Sequence, residues 1–188
     1  MFKTIIIIMN IQMFFSACLL FYSVASAQII QKSDSLFNDQ DILKIKLSYS
    51  NAEMRMETDD TTFIKVNLEY YNNKWESLTV NLRARGNFRR SKCYFPPIKM
   101  RIKKSSAKGT LFEGNKNLKL VMPCLLRKEK NDNILQEFIA YKFYEKISPY
   151  YFKTRLVDIE FTEIKKKKTE VHKLIGFLIE DDKRVADR

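Results

Sequence analysis

The stretch RGNFRRSKCYFPPIKMRI, Arg85 to Ile102, is followed by FEGNKNLKLVMPC, Phe112 to Cys124, and by NILQEFIAYKFYEKIS, Asn133 to Ser148. Together they set out a basic turn, a strand, a second strand and a helix, in that order. Pro96-Pro97 stops what precedes it and fixes entry into the first strand, where Ile98, Met100 and Ile102 share one face and Lys99 and Arg101 the other. Proline is tolerated there because its missing donor falls outside the ladder. Gly109 and Gly114 hinge the loop that leads to a short strand, Leu118 to Met122, ended by Pro123. Asn131-Asp132-Asn133 offers capping side chains, with Gln136 three residues beyond Asn133. Ile134, Leu135, Phe138, Ile139, Tyr141 and Phe143 then cover a wide helical stripe that Ser148-Pro149 ends.

Upstream, Ile42 to Tyr49, Phe63 to Tyr71 and Leu78 to Arg85 each alternate apolar and polar residues, the pattern of half-buried strands. Their close spacing, with Asn72-Asn73 as a turn, predicts an antiparallel meander. Downstream, Arg155 to Thr162 alternates again, Lys165 to Lys168 reads as a solvated hairpin tip, and Leu174 to Ile179 is the apolar run of a strand covered on both faces. The fold class expected is α+β: an antiparallel sheet with one main packed helix. Glu180-Asp181-Asp182 opens what reads as a further helix, acids at its positive end, that breaks off at Arg188; a C-terminal truncation is expected.

The first residues run from Lys3 through a nearly uninterrupted apolar segment to Ala25-Ser26-Ala27, the form of a secretory signal peptide spanning residues 1–27. An uncleaved membrane anchor is the alternative for a run of this length. Residues 28–40 read as a flexible leader and 41–188 as one domain. Export to a periplasmic or extracellular compartment is the expectation, with no stable membrane span after cleavage. Thirty-four Lys and Arg stand against 22 acids, a formal net charge of +12. Outside the cell that bias favours phosphate groups, acidic glycans or anionic lipid over nucleic acid. Cys18 leaves with the signal, so Cys93 and Cys124 remain and permit one disulfide in an oxidising compartment. Their spacing matches no zinc pattern, and with His172 as the sole histidine the sequence offers no metal site and no Ser-His or Cys-His catalysis. Only four glycines occur, none in a phosphate-loop spacing.

Strands, one helix, two strands and a connector into a new helix is an order that resembles the small lobe of a protein kinase. The segments RGN at Arg85 to Asn87, PPIKMRI at Pro96 to Ile102, LKLVMP at Leu118 to Pro123, LQEFIAYKFYEKIS at Leu135 to Ser148 and GFLIEDDKRVADR at Gly176 to Arg188 resemble the spore-coat CotH family of atypical, secreted kinase-like proteins, over roughly residues 80–188. The resemblance implies ATP and Mg as cofactors and phosphoryl transfer to protein hydroxyls, which requires a strand lysine, a helix glutamate to orient it, and acids of a second lobe. Lys99, then Lys119, is the implied lysine; Glu137, with Glu145 as alternative, is the implied helix partner; Arg85, beside Gly86, would meet phosphate; Glu180 to Asp182 would be the hinge. The second lobe's acids would lie beyond Arg188, so the chain alone is expected to be catalytically inactive.

Plainer readings stand beside these. Lys99 and Arg101 suit a solvated edge strand, and Glu137 suits a first-turn acid. Arg83, Arg85, Arg89 and Arg90 crowd guanidiniums near one strand end, a pattern that matches phosphate or carboxylate. The alternative function is a non-enzymatic exported module whose basic surface binds acidic glycan or a cell-envelope partner, and a protein substrate is the partner under the first reading.

Overall fold

The computed structural model describes residues 35–126 and 130–187; the segment expected to be a signal peptide and the side chains of Lys130, Asn131 and Asp132 lie outside the described residues. Seven strands form where the sequence places them, and their edges meet in a closed barrel. The strands are β1 (Leu43–Tyr49), β2 (Ile64–Asn72), β3 (Lys74–Ala84), β4 (Ile98–Ile102), β5 (Asn117–Val121), β6 (Thr154–Ile164) and β7 (Thr169–Ile179), in the spatial order β1-β2-β3-β4-β5-β7-β6. β1 to β5 run as an antiparallel series, and β7 joins β5 and β6 antiparallel. Closure is the parallel pairing of β1 with β6, Leu43 opposite Val157 through Tyr49 opposite Glu163.

This corrects the expected fold. The molecule is a mixed, mostly β barrel, and the antiparallel sheet of a kinase-type small lobe is overturned by the parallel seam that closes the described strands on one another. Alternation marks which face of a strand is apolar; it carries no information about which distant strand an edge will pair with, because the same pattern satisfies an open or a closed sheet. Closure removes the unpaired edge groups that an open sheet must otherwise protect.

Inside, Ile45, Leu68, Val80, Leu82, Met100 and Ile159 are buried, as are Tyr70 and Phe161. Burying such a side chain contributes roughly 1.5–3 kcal/mol. The outer faces carry Lys44, Lys65, Arg101 and Lys173, so polarity runs apolar inside and charged outside, the reverse of a lipid-embedded barrel. Among the described residues no helix is long and apolar enough to cross a membrane.

Short helices decorate the barrel. α1 (Ser35–Asn38) lies in the segment read as leader, yet Leu36 and Phe37 are buried, and Arg155 Nη1 donates to the Leu36 carbonyl at 2.9 Å. α2 (Asn51–Met56) follows β1, with the Ser50 hydroxyl accepting from the Glu53 N–H at its start. α3 (Phe88–Lys92) and α4 (Lys104–Ala107) sit in the connections on either side of β4. The one long helix, α5 (Lys130–Ile147), begins three residues before the expected Asn133 and packs on the outside of the barrel. Its Ile134, Phe138 and Tyr141 meet Phe152, Leu156, Phe177 and Ile179. This outer contact explains the apolar run of β7: Phe177 and Ile179 face the helix while Leu174 and Leu178 face the core. Cys93 and Cys124 are joined by a disulfide. α6 (Asp182–Ala186) closes the described chain.

Candidate functional site

β3 emerges from the barrel at Ala84, and Arg85 and Gly86 (φ 75°) turn the chain into α3. Glycine permits this left-handed turn without a Cβ clash. The turn forms a cleft of about 290 Å³ lined by Arg85, Gly86, Asn87, Phe88, Arg89 and Pro97. The Arg85 backbone N–H donates to the Pro97 carbonyl at 2.9 Å, while its side-chain Nε is buried without a hydrogen-bond partner. Burial pulls the guanidinium below its usual pKa, opposed by the nearby Tyr141, Asp182 and Glu137, with Arg89 reinforcing the fall. It stays a cation because an arginine does not give up its proton in a protein.

Of the residues read from the sequence, Arg85 and Arg89 line this cleft. Arg89 pairs with Glu137 of α5 at 3.3 Å. Lys119 of β5 pairs with Asp182 and lies 4.8 Å from the centre of the Phe152 ring. Lys99 of β4 stands directly opposite Lys119 on one side and opposite Arg83 on the other, a row of three cations across neighbouring strands on the outer face. Like charges at opposed positions destabilise a sheet. Asp60 relieves Arg83 and Asp182 relieves Lys119, while Lys99 has no ion pair among the described residues.

The partners differ from those the resemblance implied. Glu137 meets Arg89 and Glu145 meets Lys142 at 3.1 Å, so neither helix glutamate engages a strand lysine. Glu180 is fully buried and accepts from the Lys153 N–H at 2.6 Å, latching the start of β6 to the end of β7. The arginine group also divides. Arg90 donates to the carbonyls of Arg55 and Thr58 and serves the α2 connection, and Arg83 is spent on Asp60 at 2.7 Å, which leaves Arg85 and Arg89 at the cleft. Asp182, expected in the hinge and at the start of a helix, begins that helix and also pairs with Lys119, a role that no local signal carries.

A second polar cluster, at the tip of the β6–β7 hairpin, has no counterpart among the residues read from the sequence. Glu163 accepts from the Tyr94 hydroxyl at 2.7 Å and from Asn51 Nδ2 at 3.1 Å, and His172 Nε2 lies 3.2 Å from it. Phe95 and Phe161 wall the imidazole at 5.2 and 6.0 Å between ring centres. A lone histidine within a strand carries no sign of this, because its neighbours come from β6 and from the segment after α3.

Compared with known proteins, the chain matches no family model, no curated protein and no solved structure.

Proposed function

We propose that this is an exported basic barrel that binds a phosphoryl-bearing anion at the Arg85 corner. The carrying observation is Arg85 itself: a desolvated guanidinium on the wall of a cleft, its Nε unpartnered, with Arg89 beside it. A half-buried cation with an unused donor is matched best by an anion that accepts at short range, and guanidinium and phosphate geometries are complementary. The CotH resemblance favours a nucleotide as the phosphate carrier. The acids at this corner, Glu137 and Asp182, are each engaged by a cation, so the corner suits the phosphate rather than its magnesium. No phosphoryl transfer is assigned to the described residues.

The opposed Lys99 and Lys119 favour a second reading, an extended acidic polymer laid across the outer face. Thermal melting of the mature chain separates the two. ATP with magnesium, or pyrophosphate, at 100 times its Kd should stabilise the fold by about 2.7 kcal/mol, and Arg85→Gln should remove that response. A response to heparin alone, lost steeply with added salt, would select the polymer. No response to any of these ligands, or one undiminished in Arg85→Gln, overturns the phosphate assignment.

A further inference from the structure

The β6–β7 hairpin places Glu163 opposite Glu170 and Phe161 opposite His172. The pleat therefore turns Glu163, Glu170 and His172 to the inner side at the barrel's mouth, since residues two apart on a strand share a face. One ligand atom from each lies within 4.8 Å of the others. Glu163 and His172 are buried, at 5% and 7% exposure, and Glu170 is half-exposed. The 3.2 Å between His172 Nε2 and Glu163 Oε2 matches the edge of a tetrahedron, about 3.3 Å for metal–ligand bonds of about 2.0 Å.

A second, independent feature points to a guest. Asn51 and Tyr49, at 5% and 3% exposure, have side-chain oxygens with no hydrogen-bond partner. Both adjoin the carboxylate: Asn51 Nδ2 donates to Glu163 Oε1, and Tyr49 stands opposite Glu163 across the β1–β6 seam. Buried oxygens left this way are rare, and a metal-bound water supplies the donors they lack.

The cation now facing the pair is Lys165, its Nζ 2.6 Å from Glu170 and 3.4 Å from Glu163. We propose that Glu163, Glu170 and His172 form a divalent-metal site of the zinc class at the barrel mouth, for which the Lys165 ammonium is the internal competitor. Two carboxylates and one ammonium leave one negative charge; a divalent ion with a neutral imidazole leaves none. The lysine side chain is already one-third exposed on the hairpin tip, so it can swing into solvent without opening the core.

The test uses the mature, tag-free chain dialysed against chelator, titrated with zinc by calorimetry and thermal melting, with Co2+ as an optical probe. Saturable one-to-one binding, a raised Tm and the intense visible bands of a tetrahedral Co2+ site are expected. Glu170→Gln should weaken zinc on the order of tenfold or more, and Lys165→Met should tighten it. Absence of saturable binding in both the parent and Lys165→Met overturns the site, as does zinc affinity indifferent to Lys165→Met and Glu170→Gln alike.

Discussion

At the scale of single residues, neighbours rather than residue type decide what each polar group does. Arg90 and Arg85 are five positions apart in one basic turn, yet one clamps backbone carbonyls and the other faces a cleft. Tyr70 shows the same principle on a titrating group. Its ring is buried against Phe112 and its hydroxyl donates to Glu76 at 2.6 Å. Burial first, and the Glu76 carboxylate second, push its pKa up to about 12 from the ordinary 10. Between pH 10 and 12 the unfolded chain has lost this proton and the folded chain keeps it. Stability is therefore undiminished by this group below pH 10 and falls as pH rises through that window. Urea midpoints across the same window should fall less steeply in Tyr70→Phe than in the parent; equal slopes would mean Tyr70 is not the titrating group.

At the scale of elements, β7 is the hinge of the architecture, because one face serves the core and the other serves α5. Gly176 sits where the strand passes closest to its surroundings: a Cβ there would lie 2.5 Å from the Val121 carbonyl oxygen and 2.8 Å from Ile159 Cδ1. The backbone contact cannot rotate away, so the β5–β7 pairing at Val121 and Phe177 must open to admit a methyl group. Gly176→Ala should cost about 1–3 kcal/mol in chemical denaturation with the m-value retained, and a variant as stable as the parent would contradict the packing described. Strand and helix identities were largely legible, since β1, β2 and β4 alternate cleanly and Ile134, Phe138 and Tyr141 of α5 recur at helical spacing. β6 and β7 extend further than their apolar runs, to Ile164 and from Thr169, because cross-strand pairing holds the polar ends Glu163 and Glu170 in the ladder.

At the scale of the whole molecule, the disulfide ties the end of α3 to the segment that follows β5. It links Cys93 and Cys124, 31 residues apart, across the β4–β5 hairpin that carries Lys99 and Lys119. A loop of that length restrains the unfolded chain by about 3–4 kcal/mol in the chain-entropy treatment. Reduction under native conditions should lower stability by that order and loosen the Arg85 corner, since the Tyr94 N–H also bonds to the Cys124 carbonyl at 2.7 Å. Equal urea midpoints for the oxidised chain and a reduced, alkylated one would refute the structural role.

The amino-acid sequence by itself determined the strands, the one long helix, the strong positive charge and the basic turn at Arg85 to Arg90, because alternation, helical stripes, proline stops and composition are local quantities. Tertiary structure alone decided that β6 closes on β1, that α5 lies outside a barrel, that Lys119 faces Asp182 and Glu137 faces Arg89, and that His172 stands among carboxylates. Those are pairings between segments as much as 119 positions apart, as where Arg155 meets Leu36. Their energies arise only once the chain has brought the partners together, and no local pattern encodes them.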